Sequence, residues 1–176
     1  MLTKSMLLKK KIKSQIEVPY FYMSGILENI NANYFIEKME KGFKQEDNKN
    51  FLTNVKGFMT SWTFFNDDLE FLKLLWPLYD LIEKEISNLP KFVLKNSWGI
   101  RNDLGGYTKS HDHLGFIFSG VIYLNDHNQL LNFPEIDETL KPSIGSFAVF
   151  SSFLKHGCVR NLDIKPKYAI SFNCSY

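Results

Sequence analysis

The chain has 176 residues, 44% of them hydrophobic and 15% aromatic, with sixteen Phe and eight Tyr. So much apolar side chain excludes a disordered protein and suits one domain with a sizeable core, while no apolar run reaches the ~18 residues of a membrane span. The net charge of +2 is uneven: Lys4, Lys9, Lys10, Lys11 and Lys13 precede the first acid, Glu17, and the rest carries sixteen basic against nineteen acidic residues.

The basic lead-in reads as a solvated, frayed terminus. It allows a nucleic-acid or protein substrate without requiring one. Cys158 and Cys174 are the only cysteines, and without a secretion signal they are expected to be reduced thiols in a cytoplasmic protein. The first ninety residues read as mostly helical. "NANYFIEKMEKGFK" puts Tyr34, Phe35, Met39 and Phe43 at helical spacing, and "VKGFMTSW" has the look of a short strand. "NDDLEFLKLLWPLYDLIEKEISNLP" gives the strongest helix, capped by Asn66 or Asp67 and stopped by Pro90. Its apolar stripe runs through Leu72, Leu75, Trp76, Tyr79, Ile82 and Ile86, and Pro77 should bend it or begin a second helix.

From residue 91 onward seven or eight apolar segments of strand length follow one another, broken at "NDLGG", "NDHN" and "KPSIG". Strands in series without intervening helices indicate a sandwich or barrel rather than a parallel sheet. The expected fold is mainly β with N-terminal helices (α+β): one domain over 1–176, with 1–90 mostly helical and 91–176 a jelly-roll core.

The chemistry concentrates in "YTKSHDH", from Tyr107 to His113. Residues i and i+2 of a strand share a face, so His111 and His113 should project together and Asp112 away. Two imidazoles placed this way can share a metal ion at ~2.0–2.2 Å. His156, at the entry to another strand, is the candidate third ligand, and His127 in "NDHN" reads as a solvated loop residue. No P-loop, glycine-rich dinucleotide turn or Ser-His-Asp order is present.

The stretch from Asn96 to Asn173 resembles the iron(II)- and 2-oxoglutarate-dependent oxygenases, in particular a small bacterial and phage branch. The resemblance rests on "NSWGIRNDLGGYTKSHDH", "SGVIYLND", "KPSIGSFAVFSSFLKHGCVRN" and "KYAISFN", in that order. It implies a double-stranded β-helix with helices on one side, with Fe(II) held by His111, His113 and His156. It also implies 2-oxoglutarate and oxygen as co-substrates and an unidentified organic substrate. Lys167, eleven residues after His156, takes the place of the family's basic residue and would pair with the distal carboxylate of 2-oxoglutarate; composition alone would make it a surface lysine. Tyr123, Tyr107 and Asn102 are further candidates for that pocket, while Ala169 stands where family members carry a serine. The departure is His-Asp-His in place of the usual His-x-Asp; Asp112 could ligate only if the strand bulged there. Two other readings use the same histidines. One is a cupin-like three-histidine metal enzyme that does not use 2-oxoglutarate, and the other is a non-enzymatic jelly-roll binding protein. Cys158 is expected to be a small buried side chain.

Overall fold

A computed structural model describes residues 18–45, 53–86, 88 and 90–176, and these form two antiparallel sheets and two helices. The basic lead-in lies outside the described residues. The elements run β1 (Tyr22–Ile26), α1 (Ala32–Gln45), β2 (Val55–Lys56), β3 (Phe58–Met59), α2 (Leu69–Glu85), β4 (Val93–Asn102), β5 (Tyr107–His111) and β6 (Phe118–Tyr123). Then follow β7 (Leu131–Phe133), β8 (Glu138–Leu140), β9 (Ser146–Ser151), β10 (His156–Cys158) and β11 (Lys167–Ser175). Eight strands after residue 91 match the expected number. The described part of the first ninety residues holds three strands besides the helices. One of these, β1, carries no alternating pattern and takes its place only by pairing with β9.

The larger sheet has the order β1-β9-β6-β11-β4-β3 and the smaller β2-β5-β10-β7-β8. The central strands β6 and β9 are buried along their whole length, because both faces of the larger sheet are covered. Phe118, Ile122, Phe147, Val149, Ile170 and Phe172 point to the helices and pack with Phe35, Met39, Phe71, Leu75 and Leu78. The alternate residues Val121, Tyr123, Ala148, Phe150 and Ala169 point to the smaller sheet and meet Leu131, Phe133 and Leu154. This is a jelly roll whose outer face is sealed by helices. Each buried large apolar side chain contributes roughly 1.5–3 kcal/mol, so most of the stability lies on the helix side.

The second helix differs in detail from its sequence pattern. Its cap is Asp68, whose Oδ1 accepts from the Phe71 N–H at 2.9 Å. Asp68 also receives the Tyr34 hydroxyl at 2.9 Å and the Lys38 ammonium, a long-range role invisible to local cap rules. The helix passes through Pro77 unbroken and ends at Glu85, before Pro90. Its buried stripe is Phe71, Leu75, Leu78 and Ile82, while Trp76 is 71% exposed. The register belongs to Phe71: it reaches Phe65 and Phe172 in the core, and a residue next to Leu75 lies about 100° around the helix.

At Gly120 a β-carbon would fall 2.1 Å from Phe172 Cζ. The ring of Phe172 therefore lies directly on the backbone of β6, which holds those two strands at a fixed depth beneath the helices.

Candidate metal centre

The inner face of the larger sheet can be read from its register. Across β4, β11 and β6, Asn102 stands opposite Lys167, Ile100 opposite Ala169 and Tyr123, and Trp98 opposite Ser171 and Val121. Met59 of β3 extends the second of these rows. Directly opposed residues share a face, so this grid forms the floor of a cavity of about 180 Å3. The smaller sheet supplies the roof, with Thr108, His111, Leu131, His156 and Cys158.

His111 and His156 face each other across the β5–β10 pair. Cys158 is opposite Thr108, so three residue steps on β5 are matched by two on β10. The extra residue makes a bulge. It brings Thr108 and His111 to the same cavity despite their odd spacing. Gly157 permits it, since a β-carbon there would come within 2.8 Å of Thr108 O and 3.0 Å of Ser110 N.

β5 ends at His111, so His113 is not placed by strand alternation. It lies in the following turn, where its N–H donates to Ser152 O at 2.8 Å and its carbonyl accepts from Phe116 N–H at 3.1 Å. Ser152 is tied in turn to Ser119 Oγ at 2.9 Å, and Ser119 donates to Asn173 Oδ1 at 2.7 Å. This buried cluster sets the height of the turn. The three imidazoles converge, with ring centroids 4.5–5.1 Å apart and one ligand nitrogen from each within 4.8 Å of the others. Asp112 is not in that group; its Oδ1 accepts from Leu114 N–H at 3.2 Å, closing the turn.

The ring chemistry suits a metal. His111 Nδ1 lies 2.8 Å from Lys109 O and His156 Nδ1 lies 3.0 Å from Leu154 O. Donation from Nδ1–H to these carbonyls leaves Nε2 with its lone pair free for an ion, the usual arrangement in histidine metal sites. Burial, reinforced by the neighbouring His111, lowers His113 to about 4 and His156 to about 3. All three donors are neutral nitrogens, so a bound divalent ion would keep its full charge.

Lys167 is 3% exposed and so is no surface lysine. Its Nζ meets Cys158 Sγ at 3.4 Å and stands 5.5 Å over the Tyr123 ring. Burial lowers its pKa, and among the described residues no carboxylate pairs with it. An ion left unpaired at such depth costs several kcal/mol. Asn102 and Tyr123 line the same cavity, and Asn102 Oδ1 is buried without a hydrogen-bond donor. Tyr107 does not line it; the bulge leaves it off the cavity face, with Lys56 Nζ 6.0 Å from its ring. His127 is no solvated loop residue either. It is 4% exposed, with Nε2 2.9 Å from Lys165 O and Nδ1 accepting from Gln129 N–H at 2.9 Å, a brace between loops.

Sequence reasoning missed Trp98 and Trp62. Trp98 is 3% exposed, its Nε1–H has no acceptor, and its ring lies 6.0 Å from His113. Trp62 packs edge-on against it at 4.7 Å and is 39% exposed, which brings the cavity to the surface there. A signal existed for Trp98: alternation along the strand from the candidate Asn102 places Ile100 and Trp98 on the same face.

No protein-family model and no curated protein matches the sequence. Solved structures do match the fold. A viral collagen prolyl hydroxylase from Paramecium bursaria Chlorella virus-1, in complex with 2-oxoglutarate, superposes with a TM-score of 0.65 at 14% identity, covering 88% of this chain and 94% of its own. A prolyl-4-hydroxylase from Pseudomonas putida gives 0.62 at 13% identity, covering 88% and 92%. The epimerase SnoN of nogalamycin biosynthesis, bound to Fe3+, α-ketoglutarate and nogalamycin RO, gives 0.66 at 12% identity, covering 89% and 78%. The chain thus has the double-stranded β-helix found in 2-oxoglutarate- and iron-dependent oxygenases, at identities where the likeness is one of fold.

Proposed function

We propose that the protein is a non-haem iron(II)- and 2-oxoglutarate-dependent dioxygenase that oxidises, by default hydroxylates, an organic substrate with release of succinate and CO2. The observation that carries this is Lys167: a cation buried with no carboxylate partner among the described residues, in the same cavity as three converging histidines. A dicarboxylate that reaches from a metal at the histidines to this ammonium would supply the missing partner. Trp98, which lines the cavity, also carries a buried Nε1–H without an acceptor among the described residues.

In this reading His111, His113 and His156 hold the iron and Lys167 binds the distal carboxylate as a point charge. Asn102 and Tyr123 border that carboxylate, and Tyr107 has no part. Bound iron with 2-oxoglutarate and oxygen supplies the oxidising power that removes hydrogen from a C–H bond. The chain's own contribution is placement and dryness. Ile100, Val121, Leu131 and Phe150 wall the cavity against water. Ser171, beside Trp98, lies four residues along β11 from Lys167, about 13 Å at the usual strand rise. The Trp62–Trp98 end is therefore the substrate's side and the Lys167 end the co-substrate's. Neutral imidazoles leave the metal's charge to be offset by 2-oxoglutarate alone, which should make metal and co-substrate binding strongly interdependent.

The all-histidine donor set also favours a second reading, a cupin-like metal enzyme that does not use 2-oxoglutarate. Thermal unfolding of metal-stripped protein with manganese(II), with and without 2-oxoglutarate, separates the two. Binding to the folded state raises the unfolding temperature. The proposal requires a 2-oxoglutarate shift that appears only with metal and is lost in His156→Ala. A metal shift without any 2-oxoglutarate shift selects the second reading, and no response to either ligand defeats both.

A further inference from the structure

The chain has two cysteines, and their surroundings differ. Cys174 is 1% exposed on the helix side, its Sγ 3.2 Å from the Tyr79 hydroxyl and its thiol pushed up to about 11 by burial. It does not line the cavity. Cys158 does, with Sγ 3.4 Å from Lys167 Nζ and 3.7 Å from Asn102 Nδ2. Two nitrogen donors therefore converge on one sulfur inside a cavity that reaches the surface at Trp62. One of them is a buried lysine with no carboxylate partner among the described residues.

We infer that Cys158 is a site of reversible oxidation to a sulfenic acid, whose oxygen would take the hydrogen bonds of Lys167 and Asn102 and so close the anion-binding end of the cavity. The oxidant is hydrogen peroxide. The sulfur attacks one peroxide oxygen, an S–O bond forms and the O–O bond breaks, and the thiol proton leaves with the other oxygen as water. Sulfur loses two electrons and peroxide gains them. An added thiol reverses the change: it first forms a mixed disulfide with loss of water, and a second thiol then releases Cys158. An oxygen held between sulfur and ammonium occupies the position that a ligand carboxylate would take. That consequence rests on the reading of Lys167 given above; the modification itself does not.

The experiment treats full-length, metal-stripped protein with hydrogen peroxide, removes the excess with catalase, and reads intact and peptide masses. Manganese(II) and 2-oxoglutarate thermal shifts follow, before and after dithiothreitol. The expected result is one added oxygen on the Cys158 peptide and none on the Cys174 peptide. The manganese shift should persist, and the 2-oxoglutarate shift should vanish and return with dithiothreitol. Whatever 2-oxoglutarate shift Cys158→Ser shows, peroxide should leave it unchanged, and Lys167→Met should slow the modification several-fold. Cys158 left unmodified by peroxide that oxidises glutathione overturns the inference, as does an oxidised Cys158 with an intact 2-oxoglutarate shift. If untreated protein shows no 2-oxoglutarate shift, the functional reading has failed; the mass and the Lys167 dependence then decide the modification by themselves.

Discussion

Replacing Lys167 with methionine keeps most of the buried stem and removes only the charge. In the free protein that charge is desolvated and has Cys158 Sγ as its partner, so the variant should unfold at the same temperature as the parent or a higher one. With metal and 2-oxoglutarate the sign reverses. Breaking one partner of a buried charge pair costs about 3–5 kcal/mol, which is roughly two to three and a half decades of affinity at 1.4 kcal/mol each. At a concentration of about 100 Kd the ligand stabilises the parent by about 2.7 kcal/mol. For a domain of this size that is a shift of roughly 5–10 °C. A 300-fold weaker Kd leaves about 0.2 kcal/mol by the same relation, a shift below ~1 °C. Differential scanning fluorimetry with manganese(II) reads both quantities. A 2-oxoglutarate shift that survives in Lys167→Met, or a free protein several degrees less stable, would mean that the lysine serves the fold and not a ligand.

Other substitutions probe the frame around the cavity. Gly157→Ala drives a methyl into the bulged backbone of β5 and should cost about 1–3 kcal/mol; because the bulge sets His111 against His156, manganese(II) affinity measured by calorimetry should fall as well. Gly120→Ala meets the Phe172 ring at 2.1 Å and should lower the urea midpoint by a comparable energy, with any remaining folded protein still binding metal. Asp68→Ala removes the cap of α2 and the acceptor of Tyr34 and Lys38. A cap alone is worth ~1 kcal/mol, so a smaller loss in urea unfolding would contradict the long-range role given to Asp68. Stability should also fall with acid. Burial would raise the Asp68 and Glu40 carboxyls, but hydrogen bonds from Lys38 and the Phe71 N–H, and from Arg101 and Tyr168, hold both below the ordinary range. Their contribution is present above the unfolded values of ~3.9 and ~4.3 and is lost as pH drops through the lower folded ones. Asp68→Asn should flatten the dependence of unfolding free energy on pH below ~4.5.

What could be read in the sequence divides along a physical line. Segments whose pattern is self-contained were legible: eight strands after residue 91, the helix over Leu69–Glu85, and the grouping of His111, His113 and His156. Features decided by distant partners were not. β1 exists because β9 accepts it, and Asp68 displaces Asn66 and Asp67 as cap because Lys38 and Tyr34 reach it from α1. Tyr107 was a candidate for the cavity, yet the β5 bulge leaves it off the cavity face, and the bulge depends on Gly157, some fifty residues away. His127 looked solvated in its turn, yet the loop bearing Lys165 folds over it.

The His-x-His spacing illustrates how a correct grouping can follow from an incomplete reason. Alternation along a strand brings His111 and His113 together on paper, but β5 stops at His111. The convergence is maintained by a turn closed by Asp112 and hung from Ser152 O through the His113 N–H. Asp112 stands at the middle position of the His-x-Asp pattern and here shapes the loop that delivers His113, which occupies the place of that pattern's aspartate. A carboxylate committed to a backbone N–H is poorly placed to swing onto a metal without undoing the turn. Asp112→Ala should therefore weaken metal binding indirectly, through a loosened His113, and Asp112→Asn should largely restore it, because an amide oxygen can still accept from Leu114 N–H. If Asp112 were itself a ligand, Asn would fare nearly as badly as Ala. Calorimetric manganese(II) titrations of the two variants distinguish these cases.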